Sequence, residues 1–436
     1  MKIAIVTNFL YPEGLGGTEL FCYQLANALS GLGHDINWFV PNFSQRETLE
    51  EKRGDGFNVV RFAAVDEKGE TGVDFISRSF IKEMRLRQIT VAHFHEFGGD
   101  AGISSYLLGI TKGAGITVIV TLHLVHYICQ TGTLKYAGIE PCNGEMIPAR
   151  CAGCYIFSGR TASPSLNRAL AITTHHVLKI KAIHSIPGLK RFMNGMNQKA
   201  DFISSLKENA DAIISLTKWF RDVLLVNGIP ANKILYVPQV SPDIDRVIPQ
   251  GTAQRDGYVF IGRVDKPKGI DLILDIATRL KEKLPQVFVD VYGPVYGPYK
   301  TSERDQNSSY PRLDEFENIQ RKGVLQPGEV LTVMNKYKAV ILPSFVAEMA
   351  PLIIMEANRL KIPVIASDVP GSAELISQYD CGLIFKYGSA DDLYNKITEI
   401  ENNVHRFSFR QPEENNFNSI AQKYTEIYAR HAGQYQ

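Results

Sequence analysis

Ile3-Ala4-Ile5-Val6-Thr7, then Gly14-Leu15-Gly16-Gly17-Thr18-Glu19, then a segment in which Phe21, Leu25, Ala28 or Leu29, and Leu32 recur at three- and four-residue steps, is the stretch that decides the fold. The first part is a short β-branched, apolar run, the second a glycine turn, and the third has the period of one buried helical face. Glycines at 31 and 33 stop the helix. The unit then recurs, with further strands expected at 36–40, 59–63, 91–95, 116–122, 212–216 and 234–237. Apolar strands alternating with helices predict a parallel sheet covered on both faces.

Residues 238–257 hold three Pro, two Gly and no apolar period, which is the composition of a linker. Beyond it the pattern restarts: a strand at 258–261, a helix at 270–284 and a strand at 287–292. A polar loop follows around 296–312, then strands at 339–342, 363–367 and 383–385 with helices between. The expected architecture is α/β, with two Rossmann-like doubly wound domains facing a central cleft, because ligands of such sheets sit beyond the C-terminal strand ends. The expected boundaries are 1–240 for the first domain, with a Cys-rich insertion at 129–154, and 257–411 for the second. Residues 412–436 are a terminal helix free to pack back on the first domain.

Composition excludes several classes. A chain of 436 residues exceeds one domain at roughly 100 to 200 residues each. With 44% hydrophobic and 21% charged residues it is neither disordered nor collagenous, and a net charge of +1 gives no reason to expect nucleic acid. Only four apolar residues follow Lys2, too few for a secretory signal, so the chain is expected in the cytoplasm. Between Lys112 and Lys135 there is no Asp, Glu, Lys or Arg, but His123, His126 and Gln130 make that stretch a poor membrane span. Six Cys in such a compartment should stay reduced.

Three places have the residues to meet an anion. The Gly14–Glu19 turn joins a strand to a helix N-terminus, though such glycines also serve simply to make a tight turn. It lacks the full dinucleotide spacing, and no acid closes the second strand at Val40-Pro41, which disfavours a nicotinamide or flavin enzyme. Arg263 ends one strand and Lys268 enters the next helix, a pair suited to a diphosphate unless both are merely solvated charges. Finally, Glu348 and Glu356 bracket a helix start in Glu348-Met349-Ala350-Pro351-Leu352, where Pro351 fits the first helical position and amides from Leu352 onward face the loop. Glu348 alone would pass for an ordinary helix-start acid, whereas Glu356 lies a turn inside an apolar helix.

Together these motifs resemble the retaining glycosyltransferases of the GT-B fold, in the large family with two Glu separated by seven intervening residues. The resemblance rests on the Gly16-Gly17 turn, Gly262-Arg263 with Lys268-Gly269, Glu348 and Glu356 followed by Ala357, and Pro363-Val364-Ile365-Ala366-Ser367 with Glu374. It implies a hexosyl unit moved from a nucleotide-diphosphate sugar to a glycan or lipid-linked acceptor, in surface polysaccharide or glycolipid assembly, without a catalytic metal. By resemblance Arg263 and Lys268 bind the donor diphosphate, Glu356 the ribose, Glu348 the sugar and the backbone at Val324-Leu325 the base, while His123 is the active-site histidine. Outside that resemblance His123, like His93, His95 and His126, reads as a satisfied strand-end histidine. One departure from the family is Met349-Ala350-Pro351 in place of a Gly-rich loop, where Pro removes an amide. A GT-B epimerase and a non-catalytic nucleotide-sugar-binding subunit are the rival readings.

Two further signals stand apart. Cys129, Cys142, Cys151 and Cys154 fall within 26 residues, and Cys151-Ala152-Gly153-Cys154 has the spacing of a tetrahedral thiolate site. Structural zinc is the expectation, with unliganded or redox-active thiols and an iron–sulfur cluster as alternatives. Cys22 and Cys381 read as packing residues. From 146 to 200 there is no Asp or Glu but a local charge of +8 from Arg150, Arg160, Arg168, Lys179, Lys181, Lys190, Arg191 and Lys199. That stretch suits peripheral contact with an anionic membrane or a lipid-diphosphate acceptor, or else is a solvated face over a core.

Overall fold

Lys2 to Val6 alternates nothing: every residue from Ile3 onward is apolar and buried, as a strand covered on both faces requires. In the computed structural model the described residues are 1–14, 16–44, 47–52, 56–65, 72–98, 102–158, 164–178, 187–241, 255–295, 313, 315–404, 406–411 and 416–432. Contacts divide the chain into two units, Met1–Pro242 with Asn416–Gln436, and Asp243–Asn415.

The first unit runs β1 (Lys2–Val6), α1 (Gly17–Gly31), β2 (Asp35–Asn42), β3 (Leu49–Lys52), β4 (Asn58–Ala63), α2 (Val73–Leu86), β5 (Val91–Phe94), α3 (Tyr106–Gly113) and β6 (Thr117–Thr121). A hairpin of β7 (Lys135–Tyr136) and β8 (Glu140–Pro141) follows. Then come α4 (Pro148–Phe157), α5 (Pro164–Leu178), α6 (Pro187–Asn209), β9 (Ala212–Ser215), α7 (Lys218–Val226) and β10 (Ile234–Tyr236). The sheet order is β10-β9-β6-β5-β1-β2-β4-β3, parallel except for β3, which pairs antiparallel with β4. The order reverses between β1 and β5, where Ile3 pairs with Val91. The sequence pattern does not signal β3, a charged Leu-Glu-Glu-Lys edge that carries no buried face.

The second unit runs β11 (Tyr258–Ile261), α8 (Ile270–Lys283), β12 (Val289–Tyr292), β13 (Ile319–Gly323), α9 (Val330–Met334), β14 (Ala339–Leu342), α10 (Leu352–Arg359), β15 (Val364–Ser367), α11 (Ser372–Tyr379), β16 (Gly382–Phe385) and α12 (Ala390–Glu401). Its six strands are all parallel in the order β13-β12-β11-β14-β15-β16, reversing between β11 and β14. The polar strand β13 escapes the sequence pattern because only Ile319 of its five residues is buried. The polar loop expected at 296–312 and most of the linker lie outside the described residues.

The last helix, α13 (Phe417–Ala432), belongs to the first unit. Its buried face, Phe417, Ile420, Ala421, Tyr424 and Tyr428, packs on α1 and β6, with the Phe417 and Phe21 rings 5.5 Å apart. The Tyr428 hydroxyl lies 2.7 Å from His93 Nδ1 inside the sheet.

Candidate functional site

In a doubly wound sheet the loops diverge at the switch point, leaving a crevice beyond the carboxyl ends of the two strands there. In the second unit those strands are β11 and β14, and the loops after them carry Arg263, Lys268, Ser344 and Glu348.

Two backbone devices press these loops together. Asp265 caps the short turn that follows by accepting the Lys268 amide at 2.9 Å, and Gly269 then turns at φ 77°. A Cβ at Gly269 would lie 1.8 Å from the Pro343 carbonyl oxygen, so only glycine permits this approach, and Phe345 N–H donates to Pro267 O at 2.8 Å. Gly371, at φ 85°, abuts the Glu348 carbonyl in the same way. The backbone on both sides of Glu348 is thus fixed before any ligand arrives.

The side chains follow. Lys268 Nζ donates to Glu348 Oε1 at 2.6 Å, and Ser344 Oγ donates to the same oxygen at 2.7 Å. Burial alone would raise the Glu348 carboxyl, but the Lys268 charge, the hydrogen bonds from Lys268 and Ser344 and the Arg263 charge outweigh it. The group is held below the ordinary carboxylate value. Arg263 is half exposed, with Nε 3.1 Å from Asp265 Oδ2. Leu352 opens α10, and Glu356 is buried within it. Pro351 departs from the expected first helical position: with ψ 117° it is extended and caps the helix instead. Val324 and Leu325 are half-buried just past β13. The cluster is a held carboxylate with two cations and a helix start, able to accept hydroxyl hydrogen bonds and to face a diphosphate.

The first unit has its own switch point between β1 and β5. Asn8, after β1, donates its amide to Glu96 Oε2 at 2.9 Å, and its side-chain oxygen accepts the Ile103 amide at 3.0 Å. Burial and then the charge of Glu19 raise the Glu96 carboxyl to about 7, against bonds from the Asn8 and Phe9 amides. Glu19, in the first turn of α1, folds its carboxylate over the glycine turn: a Cβ at Gly16 would lie 2.3 Å from Oε2, and one at Gly14 2.7 Å from Oε1. Gly17 opens α1. An anion at this turn would therefore meet a carboxylate of the same chain. His123 lies past the end of β6, 8% exposed, with Nε2 3.0 Å from His95 Nδ1. Burial lowers it to about 3, so it is neutral at physiological pH. His93 is held between Tyr428 and Thr121.

All four clustered cysteines line one small cavity, though among the described residues no group of three or more His, Cys, Asp or Glu is arranged as it stands to hold a metal ion. Burial pushes the Cys151 thiol up to about 11 and raises Cys154, so neither is a ready thiolate nucleophile. In the basic stretch, Arg150 and Arg168 pair with Glu145 and Glu140 from just upstream, and Lys199 Nζ donates to the His126 carbonyl. The +8 counted along the sequence is thus partly matched in space. Arg160, Lys179 and Lys181, and the side chains of Lys190 and Arg191, lie outside the described residues. Among the described residues no helix is long and apolar enough to cross a membrane.

Sequence reasoning missed Ser344, Asp265, Glu96 and the inward turn of Glu19. Asp265 three residues before Lys268 had a capping spacing that was legible. Ser344 had none.

Residues 249–423 match the family described as Glycosyl transferases group 1, and residues 15–138 match Glycosyltransferase Family 4. Among curated proteins, the chain is 24% identical over 200 residues to glycosyltransferase 1 domain-containing protein 1 of Xenopus tropicalis, covering 45% of this chain and 56% of that one. It is also 24% identical over 213 residues to the alpha-galactosylglucosyldiacylglycerol synthase of Streptococcus pneumoniae, covering 44% and 54%. The chain thus spans about half the length of these relatives. Among solved structures, sucrose-phosphate synthase of Thermosynechococcus elongatus superposes with a TM-score of 0.61 at 14% identity, over 99% of this chain and 97% of that one. Anabaena HepE in complex with UDP-glucose gives 0.56 at 14%, over 100% and 99%. At such identity the likeness is one of fold.

Proposed function

We propose that this chain is a glycosyltransferase of GT-B fold, and that it moves a hexosyl unit from a nucleotide-diphosphate sugar to a hydroxyl of a glycan or lipid-linked acceptor, with retention. The observation that carries the reading is the Lys268–Glu348–Ser344 cluster at the β11/β14 switch point. The HepE complex with UDP-glucose supports a nucleotide sugar as donor, and the glycolipid in the name of the Streptococcus relative supports a lipid-linked acceptor.

The mechanism follows from charge. As the sugar–phosphate bond breaks, negative charge grows on the leaving diphosphate. On this proposal Arg263, Lys268 and the start of α10 stabilise it. Glu348, kept ionised by Lys268, accepts hydroxyl hydrogen bonds of the sugar, Glu356 those of the ribose, and the backbone at Leu325 meets the base. His123, neutral, would act as a hydrogen-bonding group rather than as a cation. A diphosphate reaching Gly16 and Gly17 would have to displace the Glu19 carboxylate, so we assign the donor chiefly to the second unit. The finer proposal places the protein in the cytoplasm, in surface polysaccharide assembly, with peripheral contact between residues 146–200 and the anionic inner face of the membrane.

The test is thermal stabilisation by uridine, guanosine and adenosine diphosphate sugars, followed by turnover and the anomeric configuration of the product. A ligand at a hundred times its dissociation constant stabilises by about 2.7 kcal/mol. Stabilisation by none of the three would overturn the reading. Donor conversion without acceptor would indicate an epimerase, and binding without turnover on any acceptor a non-catalytic subunit. Sedimentation with vesicles that does not depend on anionic lipid would remove the membrane contact.

A further inference from the structure

Between β6 and α4 the chain makes one hairpin whose strands are two residues each, too short to hold themselves. Cys129 precedes the hairpin, Cys142 follows it, and Cys151 and Cys154 lie three residues apart on α4, on one face. All four line the same cavity, of about 30 Å³. That is room for an ion or a water or two, not for an organic cofactor.

Two of these sulfurs accept backbone amides, while Cys154 Sγ also lies 3.6 Å from the Lys135 carbonyl oxygen and Cys151 Sγ 4.0 Å from that of Glu145. The Ala137 amide donates to Cys154 Sγ at 3.2 Å and the Gly144 amide to Cys142 Sγ at 3.5 Å, while Cys129 Sγ lies 3.3 Å from Thr131 Oγ1. A neutral thiol is a poor acceptor, and backbone amides aimed at sulfur are the partners a thiolate needs. The loop reaches this arrangement through left-handed backbone at Leu134 and Ala137, at φ 50° and 52°, besides Gly132, Gly138 and Gly144. Such conformations in residues other than glycine cost energy and persist where surrounding contacts over-determine them. Cys22 and Cys381, by contrast, are wholly buried.

We propose that Cys129, Cys142, Cys151 and Cys154 close on one Zn²⁺, a structural tetrathiolate centre that pins the β7–β8 hairpin to α4. Four Zn–S bonds form as four thiol protons leave to solvent, giving a centre of net charge −2. Arg150 beside Cys151, and Lys199 within electrostatic reach of Cys129 and Cys151, offset that charge. The four cysteines line one cavity, but among the described residues they form no finished metal cage, so the proposed ion would complete the fold of this segment. With four protein ligands there is no open position, which makes the centre structural rather than catalytic.

The full-length chain, purified under reducing conditions, should carry about one zinc per molecule by elemental analysis, released by a thiol-blocking mercurial and detected by a chromogenic chelator. Exchange with Co²⁺ should give the ligand-field bands of a tetrahedral site and thiolate charge transfer. Cys151→Ser with Cys154→Ser should reduce the metal to near none, and Cys22→Ser should leave it unchanged. Wild-type protein without stoichiometric zinc after refolding with zinc and reductant would overturn the proposal, as would cobalt spectra lacking thiolate bands or a Cys151–Cys154 disulfide in the isolated protein. The wild-type readouts remain decisive should the double variant fail to fold. None depends on glycosyl transfer, so either proposal can fail alone.

Discussion

Replacing Lys268 by alanine strands a carboxylate. Glu348, whose side chain is 14% exposed, would keep Ser344 and the more distant charge of Arg263 as its compensation. Breaking a fully buried pair costs about 3–5 kcal/mol, and the partial exposure here lowers that to about 2–3 kcal/mol. Glu348→Ala leaves Lys268, 22% exposed and able to turn to solvent, at a cost of about 1–2 kcal/mol. The double variant leaves no orphan charge. It should be destabilised by about 1.5–2 kcal/mol less than the sum of the single losses, and that coupling energy measures the pair. Urea denaturation should be followed by far-UV circular dichroism, because Trp38 and Trp219, the only tryptophans, both lie in the first unit and report on it alone. The Glu348 carboxyl is depressed, so the pair's contribution is present above the ordinary carboxylate pKa and is lost as pH falls through the lower folded value. The coupling should shrink toward zero in acid. Losses additive within about 0.5 kcal/mol at neutral pH would refute the reasoning.

Other expectations follow from the same geometry. Arg263→Ala and Lys268→Ala should each slow donor turnover by about 30- to 1000-fold, and a loss within about threefold in steady-state kinetics would count against their assignment to the diphosphate. Because the Glu96 carboxyl is raised to about 7, the folded chain holds a proton there that the unfolded chain has lost above its ordinary value of 4.5. Stability should therefore fall by up to about 3 kcal/mol as pH rises between those values, and Glu96→Gln should flatten that slope in pH-dependent denaturation. An unchanged slope would mean that Glu96 is not the group responsible. Gly269→Ala should cost at least about 2 kcal/mol and weaken nucleotide binding, from backbone strain and the clash with Pro343, whereas Gly31→Ala, with open space around it, should be near neutral. Tyr428→Phe leaves the buried His93 Nδ1 without its hydroxyl partner and should cost about 1–3 kcal/mol in thermal or urea unfolding.

The alternation of apolar strands with 3.6-period helices made both parallel sheets legible, because period and turn chemistry are local properties that neighbouring residues settle among themselves. β3 and β13 were not legible: apart from the buried Ile319 their residues are polar or at least partly exposed, and strand pairing makes them strands. Likewise Arg263, Lys268, Glu348 and Glu356 could be picked out one by one as charges at strand ends and helix starts. That Lys268 and Glu348 share a hydrogen bond across 80 residues of sequence, with Ser344 on the same oxygen, depends on β11 lying beside β14. Glu96 had no signal of its own, since its raised carboxyl comes from burial and from Glu19 on another element. Sequence by itself determined the strand–helix units and their charged ends. Tertiary structure decided which of those charges face one another, because electrostatic coupling and desolvation act through space over a few ångströms, and only the order of strands in the sheet brings distant residues within that range.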